Sequence, residues 1–487
     1  MRRVRTKLRW TVIIGLAVTG VFFIVRGLIP TDTPTLEGPN IIVVTLCSVR
    51  ADRVHEDYGR DLTPNLDRLA DQGWRFNQAY TNATTTLPAH ASLLTGLLPD
   101  RHGVIDFETR LNAALPSLPG VLRLYGYRSA WGMESDRSRI AGGQSSGVAP
   151  AGLGQAQGFL DAFDTQFYLN RDGDGLDVFK SWLASDSRPF FALVLLRSAH
   201  VPYGDGEPFE EDLDSRVTEW LQPPAVQRPG ATLRSERSPA GDREARRMRE
   251  FLVELNTDEA VRRSLDAAYD SGVAHVDRLL GQLLDVLEVS NQRDNTIVVV
   301  VGDHGESLGE GGRLGHDNTL NESVIRVPLV WSDPEGDRRG LDPDRDVSLV
   351  DIMPTLLARA GATVPVGLDG QDLGSAVSSD SAMAAQPVRT QAAALPGMVQ
   401  RRSVVSGTRL DEVLSSGDLR VMFSSTDGPV AYRRASGDLV EVALDSPAVQ
   451  ALVQWKQRAD QGRRQGKAER VTLSEEAIRQ LQEEGYW

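Results

Sequence analysis

Asn295–Gly312 reads NTIVVVVGDHGESLGEGG. Its opening, Asn295–Val301, is a continuous apolar run without polar alternation, the pattern of a strand buried on both faces in a parallel sheet. The run stops at Gly302 and is followed at once by Asp303, His304 and Glu306. In an open parallel sheet, ligands bind beyond the carboxyl ends of the strands. An Asp-His pair at that place marks a metal or phosphate-type site.

Three further runs have the same character: Asn40–Leu46 (NIIVVTL), Pro189–Leu196 (PFFALVLL) and Val324–Trp331 (VIRVPLVW). Each of the first two also runs into reactive side chains, Cys47-Ser48 after one and Ser198-Ala199-His200 after the other, and His316 follows Asp303 shortly in GHDN. Helical patterns lie between the strands. Thr63-Pro64 caps a segment with Leu66, Leu69 and Ala70 on one face. Val276, Leu279, Leu280, Leu283 and Leu287 make a longer amphipathic helix. Strands alternating with helices predict an α/β protein built on a doubly wound, mostly parallel sheet.

Thr84–Gly96, TTTLPAHASLLTG, supplies the other reactive element. Pro88 suits the first turn of a helix and sets Thr86 at or beside the N-cap. There a hydroxyl meets unpaired backbone N–H groups and the positive end of the helix dipole, a favourable place for a phosphoryl or sulfuryl group. Five of the seven histidines, His90, His102, His200, His304 and His316, fall in these local contexts.

The rest is less informative. Gly204–Asp258 is charged and reads as an irregular insertion, and Ser378–Gly397, rich in Ala, Ser and Pro, reads as a linker. Leu419–Leu444 holds short alternating strands and Ser474–Glu484 a closing helix. Asn170–Gly175 (NRDGDG) opens like a calcium loop, but its twelfth position is Ser181 instead of Glu, so a polar turn is expected.

Of 487 residues, 40% are hydrophobic and 25% charged, enough to bury a large core. A net charge of −14 argues against nucleic acid as a partner. Cys47 is the only cysteine, which rules out an intrachain disulfide. Lysine is limited to Lys7, Lys180, Lys456 and Lys467. Basic residues crowd positions 1–9, and the uncharged Trp10–Val25 follows, with Arg26 able to snorkel at the far interface. This predicts a cytoplasmic N-terminus, a single-pass signal anchor over 10–29, and a body on the periplasmic or extracellular side. A cleaved signal peptide is the alternative, but no small-x-small site follows the apolar run.

Joined in order, the motifs resemble the sulfatase family of the alkaline phosphatase superfamily, in its bacterial membrane-anchored form. They are TLCSVRADRV (45–54), TPNLDRLADQGWRFNQAYTNATTTLPAHASLLTGLLPDRHGV (63–104), SAHVPY (198–203), AHVDRLLGQLLDVLE (274–288), the GDHGESLGEGG stretch with GHD, VPLVW (327–331), VSLVDIMPTLLARAG (347–361), LDGQDL (368–373) and the closing LSEEAIRQLQEEGYW (473–487). The resemblance implies an alkaline phosphatase-like sheet in a sulfatase-like domain over 39–373. A linker and a smaller C-terminal α+β subdomain over 374–487 would complete the chain.

It also implies a metal-dependent hydrolase of sulfate or phosphate esters. Asp303 and His304 match the family's metal pair, Thr86 its nucleophile position, and His90 the Arg that follows it. His200 and His316 match histidines that bind substrate oxygens or protonate the leaving one. The substrate would be a sulfated or phosphorylated glycan, lipid or small molecule.

Three departures stand out. Cys47 occupies the place of a metal-binding Asp, a soft ligand for a hard one, which favours zinc or manganese over calcium or magnesium. Thr86 is not the Cys or Ser that becomes formylglycine, and no lysine is available for the sulfate. The alternatives are therefore a membrane phospho-group transferase, or a catalytically degenerate binding protein on the same fold.

Overall fold

The computed structural model describes residues 37–470 apart from 56–57, 107–108, 135–157, 171–174, 202, 204–212, 222–238, 317–319, 335–341, 375–387, 394–409, 417–418, 424–428, 436–437 and 462–468. The 10–29 segment and Ser474–Glu484 lie outside the described residues, as does most of the NRDGDG turn. Among the described residues no helix is long and apolar enough to cross a membrane.

The central sheet has seven strands: β1 (Asn40–Leu46), β2 (Trp74–Arg75), β3 (Arg128–Glu134), β4 (Thr165–Leu169), β5 (Phe190–Leu196), β6 (Thr296–Gly302) and β7 (Leu329–Ser332), in the order β2-β7-β6-β1-β5-β3-β4. Five neighbouring strands run parallel, and the β7 and β2 pairings at one edge are antiparallel. At the centre Val44 is in register with Val194 on one side and Val300 on the other. Every residue of β1, β5 and β6 is buried. Each fully buried Val or Leu there is worth about 1.5–3 kcal/mol over an exposed one.

The period of two along β1 assigns its side chains to two layers. Ile41, Val43 and Cys47 join the core containing α2 (Thr86–Thr95), α3 (Leu118–Leu124) and α8 (Ile352–Arg359). Ile42, Val44 and Leu46 join the core containing α1 (Pro64–Asp71), α4 (Leu176–Ala184) and the 31-residue α7 (Glu259–Val289).

Several expectations need correction. Val324–Trp331 is not one parallel strand: Glu322–Ile325 forms a helical turn, Arg326 makes an isolated antiparallel bridge to Tyr80, and Leu329–Ser332 pairs antiparallel to β6. Pro328 stands just before that strand, where its missing N–H costs no ladder bond. Strands β3 (RSAWGME) and β4 (TQFYL) were not foreseen, because Arg128, Gly132 and Glu134 dilute the apolar signal. The supposed irregular insertion contains α5 (Ser215–Leu221) and α6 (Pro239–Thr257), pinned by Trp220 stacked on Phe251 at 4.9 Å. Within the expected linker, Val388–Ala393 is a strand, β8.

β8 opens an antiparallel sheet with β9 (Leu410–Ser416), β10 (Leu419–Phe423), β11 (Val430–Ala435) and β12 (Asp438–Val442). Helix α9 (Pro447–Asp460) packs Val449 and Leu452 against Leu419, Val421 and Ala431. Beta structure β8 also touches the main body where it matters. Gln391 N–H donates to Asn82 O at 2.9 Å, and the Asn82 side chain donates to Arg389 O at 2.7 Å. These bonds brace the chain just before Thr86.

Candidate active site at the strand ends

β1 ends at Leu46, and Cys47 follows fully buried. Ser48 then turns the chain with φ 62, a left-handed conformation that costs a non-glycine residue about 1–2 kcal/mol. Tyr269 of α7 holds the turn: its hydroxyl donates to Ser48 O at 2.7 Å and accepts from Arg50 N–H at 3.0 Å. Ser48 N–H in turn donates to Asp303 Oδ1 at 3.3 Å.

Asp303 follows β6. Its Oδ1 also accepts from His304 N–H at 2.7 Å, whereas Oδ2 has no hydrogen-bond partner among the described residues. Burial pushes this carboxyl above its ordinary range. A buried carboxylate oxygen without a donor is costly unless a cation meets it. His304 Nε2 lies 3.7 Å from Oδ2. One ligand atom each from Cys47, Asp303 and His304 falls within 4.8 Å of the others. Thiolate, carboxylate and imidazole together fit zinc or a similar transition metal better than calcium, which takes 6–8 oxygens.

Thr86 is the first residue of α2, after Thr85 at the cap. Its hydroxyl is 3.3 Å from His304 Nε2 and 3.6 Å from Cys47 Sγ. His90, one turn along α2, donates from Nδ1 to Thr86 O at 2.8 Å, and its Nε2 accepts from Thr45 Oγ1 at 2.9 Å. Burial holds its pKa down against the pull of Asp303, whose Oδ2 is 3.9 Å away. With both nitrogens engaged, His90 positions the start of the helix.

Three histidines share one orientation. A carbonyl only accepts, so Nδ1–H of His304 donates to Gly305 O at 2.9 Å, that of His200 to Val201 O at 2.7 Å, and that of His316 to Thr84 O at 2.9 Å. On the opposite side of each ring, His304 Nε2 is 3.3 Å from the Thr86 hydroxyl, and the Nε2 atoms of His200 and His316 are 3.2 Å apart. The rings of His304 and His316 are 4.1 Å apart between centroids. Burial first, and the neighbouring imidazoles second, push His200 and His304 well below their ordinary pKa.

Glu134, at the end of β3, shapes the turn that carries His200. It accepts from Arg197 N–H at 2.6 Å, from Ser198 N–H at 3.2 Å and from the Ser198 hydroxyl. Opposite it, Gly272 of α7 leaves room for this turn, since a Cβ there would lie 2.4 Å from Ser198 O. Neither Glu134 nor Tyr269 stands out in the sequence.

The structure thus brings together Cys47, Thr86, His90, His200, Asp303, His304 and His316. His102 stays outside: it bonds Ser92 Oγ at 3.1 Å and accepts from Val104 N–H at 3.0 Å.

The family model for sulfatases matches residues 39–362. The ulvan-active sulfatase of Formosa agariphila is 25% identical over 336 residues, which make up 64% of this chain and 59% of that protein. The chain therefore spans about three fifths of that relative's length. The arylsulfatase of Clostridium perfringens is 25% identical over 385 residues, 69% of this chain and 77% of its own. Among solved structures, the phosphonate monoester hydrolase of Agrobacterium radiobacter superposes with a TM-score of 0.61 at 19% identity, covering 86% of this chain and 94% of that one.

Proposed function

This chain belongs to the sulfatase family, and from that membership we propose that it is a metal-dependent ester hydrolase whose nucleophile is Thr86 and whose preferred substrates are phosphate or phosphonate esters. One observation carries the reading: the Thr86 hydroxyl, at a helix start, is 3.3 Å from His304 Nε2 and 3.6 Å from Cys47 Sγ. Cys47, Asp303 and His304 would hold the metal, with zinc preferred because the thiolate is soft. A divalent ion bound there lowers the pKa of a neighbouring hydroxyl and offsets charge on the ester.

The chemistry of Thr86 selects the substrate. Its oxygen bonds to phosphorus and releases its proton, while the bond from phosphorus to the leaving alkoxide breaks and the alkoxide takes up a proton. Water then attacks phosphorus, the bond to Thr86 breaks, and the hydroxyl is restored. A sulfated Thr has no second hydroxyl with which to collapse and expel sulfate, the exit that a hydrated formylglycine provides. His200 and His316, whose Nδ1 hydrogens go to Val201 O and Thr84 O, would protonate the leaving oxygen from Nε2 only in the imidazolium form.

Sulfate esters are the second reading, favoured by the family match and by relatives that act on ulvan or are arylsulfatases. We also infer that 10–29 anchors the chain with its body outside the cytoplasm, from the basic residues that precede it. The function is tested with the purified full chain on aryl sulfates, phosphomonoesters, phosphodiesters and phosphonate monoesters. Faster cleavage of aryl sulfates than of every phosphorus ester overturns the substrate preference. No turnover on any of them supports a binding protein on the same fold.

A further inference from the structure

We propose that Arg50 is a positioning residue that fixes the separation of Cys47 and His304 as metal ligands; the proposal rests on the reading of Cys47, Asp303 and His304 as the metal site. β1 and β6 pair in register from Asn40–Thr296 to Leu46–Gly302, where the ladder ends. Cys47 follows on one strand, Asp303 and His304 on the other, so all three ligands lie past the last rung. Asp303 is still tied to the β1 side, its N–H donating to Leu46 O and its Oδ1 accepting from Ser48 N–H, each at 3.3 Å. The tie that reaches past His304 comes from Arg50.

Its Nη1 crosses from the turn after β1 to the loop after β6, donating to Glu306 O at 3.3 Å and to Glu310 Oε1 at 2.6 Å. Arg50 stands four residues past Leu46, and Glu306 four residues past Gly302. The last rung and the guanidinium therefore bracket the three ligands from both ends. Nε and Nη2 are held as a fork on Asp52, at 2.8 Å each, and Arg50 N–H donates to the Tyr269 hydroxyl at 3.0 Å. A lysine has no planar fork and cannot reproduce both attachments.

The loop that receives Arg50 is backed on its other side. Gly305 N–H donates to Val324 O at 2.7 Å and Glu306 N–H to Ser323 O at 3.0 Å, and Ser323 O leaves no room for a Cβ at position 305. His304 thus leads into a peptide clamped between Ser323-Val324 and Arg50, and its Nδ1–H is committed to Gly305 O within that clamp. Asp52 and Glu310 balance the guanidinium charge, so a cation in the site does not face a bare arginine. Partners that orient a metal ligand from behind change metal affinity by roughly 10–100-fold when removed.

The test is metal affinity together with a spectrum. The full-length chain is stripped of metal and titrated with Zn²⁺ against a chromophoric chelator, and Co²⁺ then reports ligand geometry through its thiolate charge-transfer and ligand-field bands. Arg50→Gln should weaken Zn²⁺ binding by roughly 10–100-fold and shift the Co²⁺ bands, and Arg50→Lys should recover only part of the loss. Arg53→Gln is the control. Arg53 pairs with Asp266 and Asp270 of α7, outside the bracket, so its removal should lower the melting temperature and leave affinity and bands as in wild type. Wild-type affinity in Arg50→Gln, or an equal loss in Arg53→Gln, overturns the proposal. Should Arg50→Gln fail to fold, Arg50→Lys and Glu310→Ala decide, since the Glu310 side chain is 43% exposed and its removal loosens the same end of the bridge. Wild-type affinity in both then overturns the proposal, and a loss in Arg50→Lys sustains it. A wild type that takes up no Zn²⁺ sinks the metal-site reading itself, and this inference with it.

Discussion

The Cys47 thiol and the Thr86 hydroxyl stand side by side, Sγ 3.6 Å from Oγ1, both fully buried. A cation that binds one meets the other. In the proposed mechanism, a thiol at this place in the site therefore alters the electrostatics felt by the Thr86 hydroxyl.

Thr86→Ala should lower phosphoester turnover by at least roughly 10³-fold while the fold survives, and Thr86→Ser should keep measurable activity. Acid-quenched mass spectrometry should find the phosphoryl group on Thr86 in wild type. Full activity in Thr86→Ala would remove it from the mechanism.

Cys47→Asp restores a hard ligand and should move metal preference from zinc toward magnesium or calcium. The readout is the metal-dependent rise in melting temperature, compared across the three ions. An unchanged order of preference means that Cys47 does not touch the metal.

Burial pushes His102 down to about 3. The unfolded chain takes up this proton near pH 6.5, whereas the folded one resists until near pH 3. The stability from this residue is thus full above about pH 6.5 and is lost as pH falls toward 3, by at most ~4–5 kcal/mol. Asp277 and Asp351, pushed up to about 6 by burial, run the opposite way, stabilising at low pH and losing that contribution as pH rises through about 4 to 6. The comparison that isolates His102 is the fall in stability between pH 7 and pH 4, which should be smaller in His102→Gln than in wild type.

Gly272→Ala should destabilise by about 1–3 kcal/mol, because its Cβ would sit 2.4 Å from Ser198 O. Urea unfolding measures the loss. A neutral result would mean that the helix shifts freely at that point.

Export of the body is checked by a reporter fused after Trp487, which should be active only outside the cytoplasm. Cytoplasmic activity, or a mature N-terminus near Pro30, would refute the anchor.

The site was legible where chemistry sits next to an apolar run. β1, β5 and β6 announce themselves by uninterrupted Val, Ile, Leu and Phe, and the residues after them line the pocket. Period-two alternation along β1 even puts Thr45 and Cys47 on the α2 side, where they meet His90 and Thr86. Glu134 escaped because its strand mixes Arg, Gly and Glu with apolar residues. Tyr269 escaped for another reason: on an amphipathic helix a buried Tyr looks like core, and only the fold reveals that its hydroxyl reaches Ser48. The C-terminal sheet was seen in part, since β8 lies in a stretch whose Ala and Pro suggest a loop.

Tyr269 and Gly272 are three residues apart on one face of α7, a peg against the end of β1 and a notch against the end of β5. One rigid rod therefore serves as the common datum for both halves of the pocket. A slip of that rod along its axis would misalign Cys47 and His200 together, so the pocket's gauge is set from outside it. Tolerance at this site is machined on the far side of the sheet.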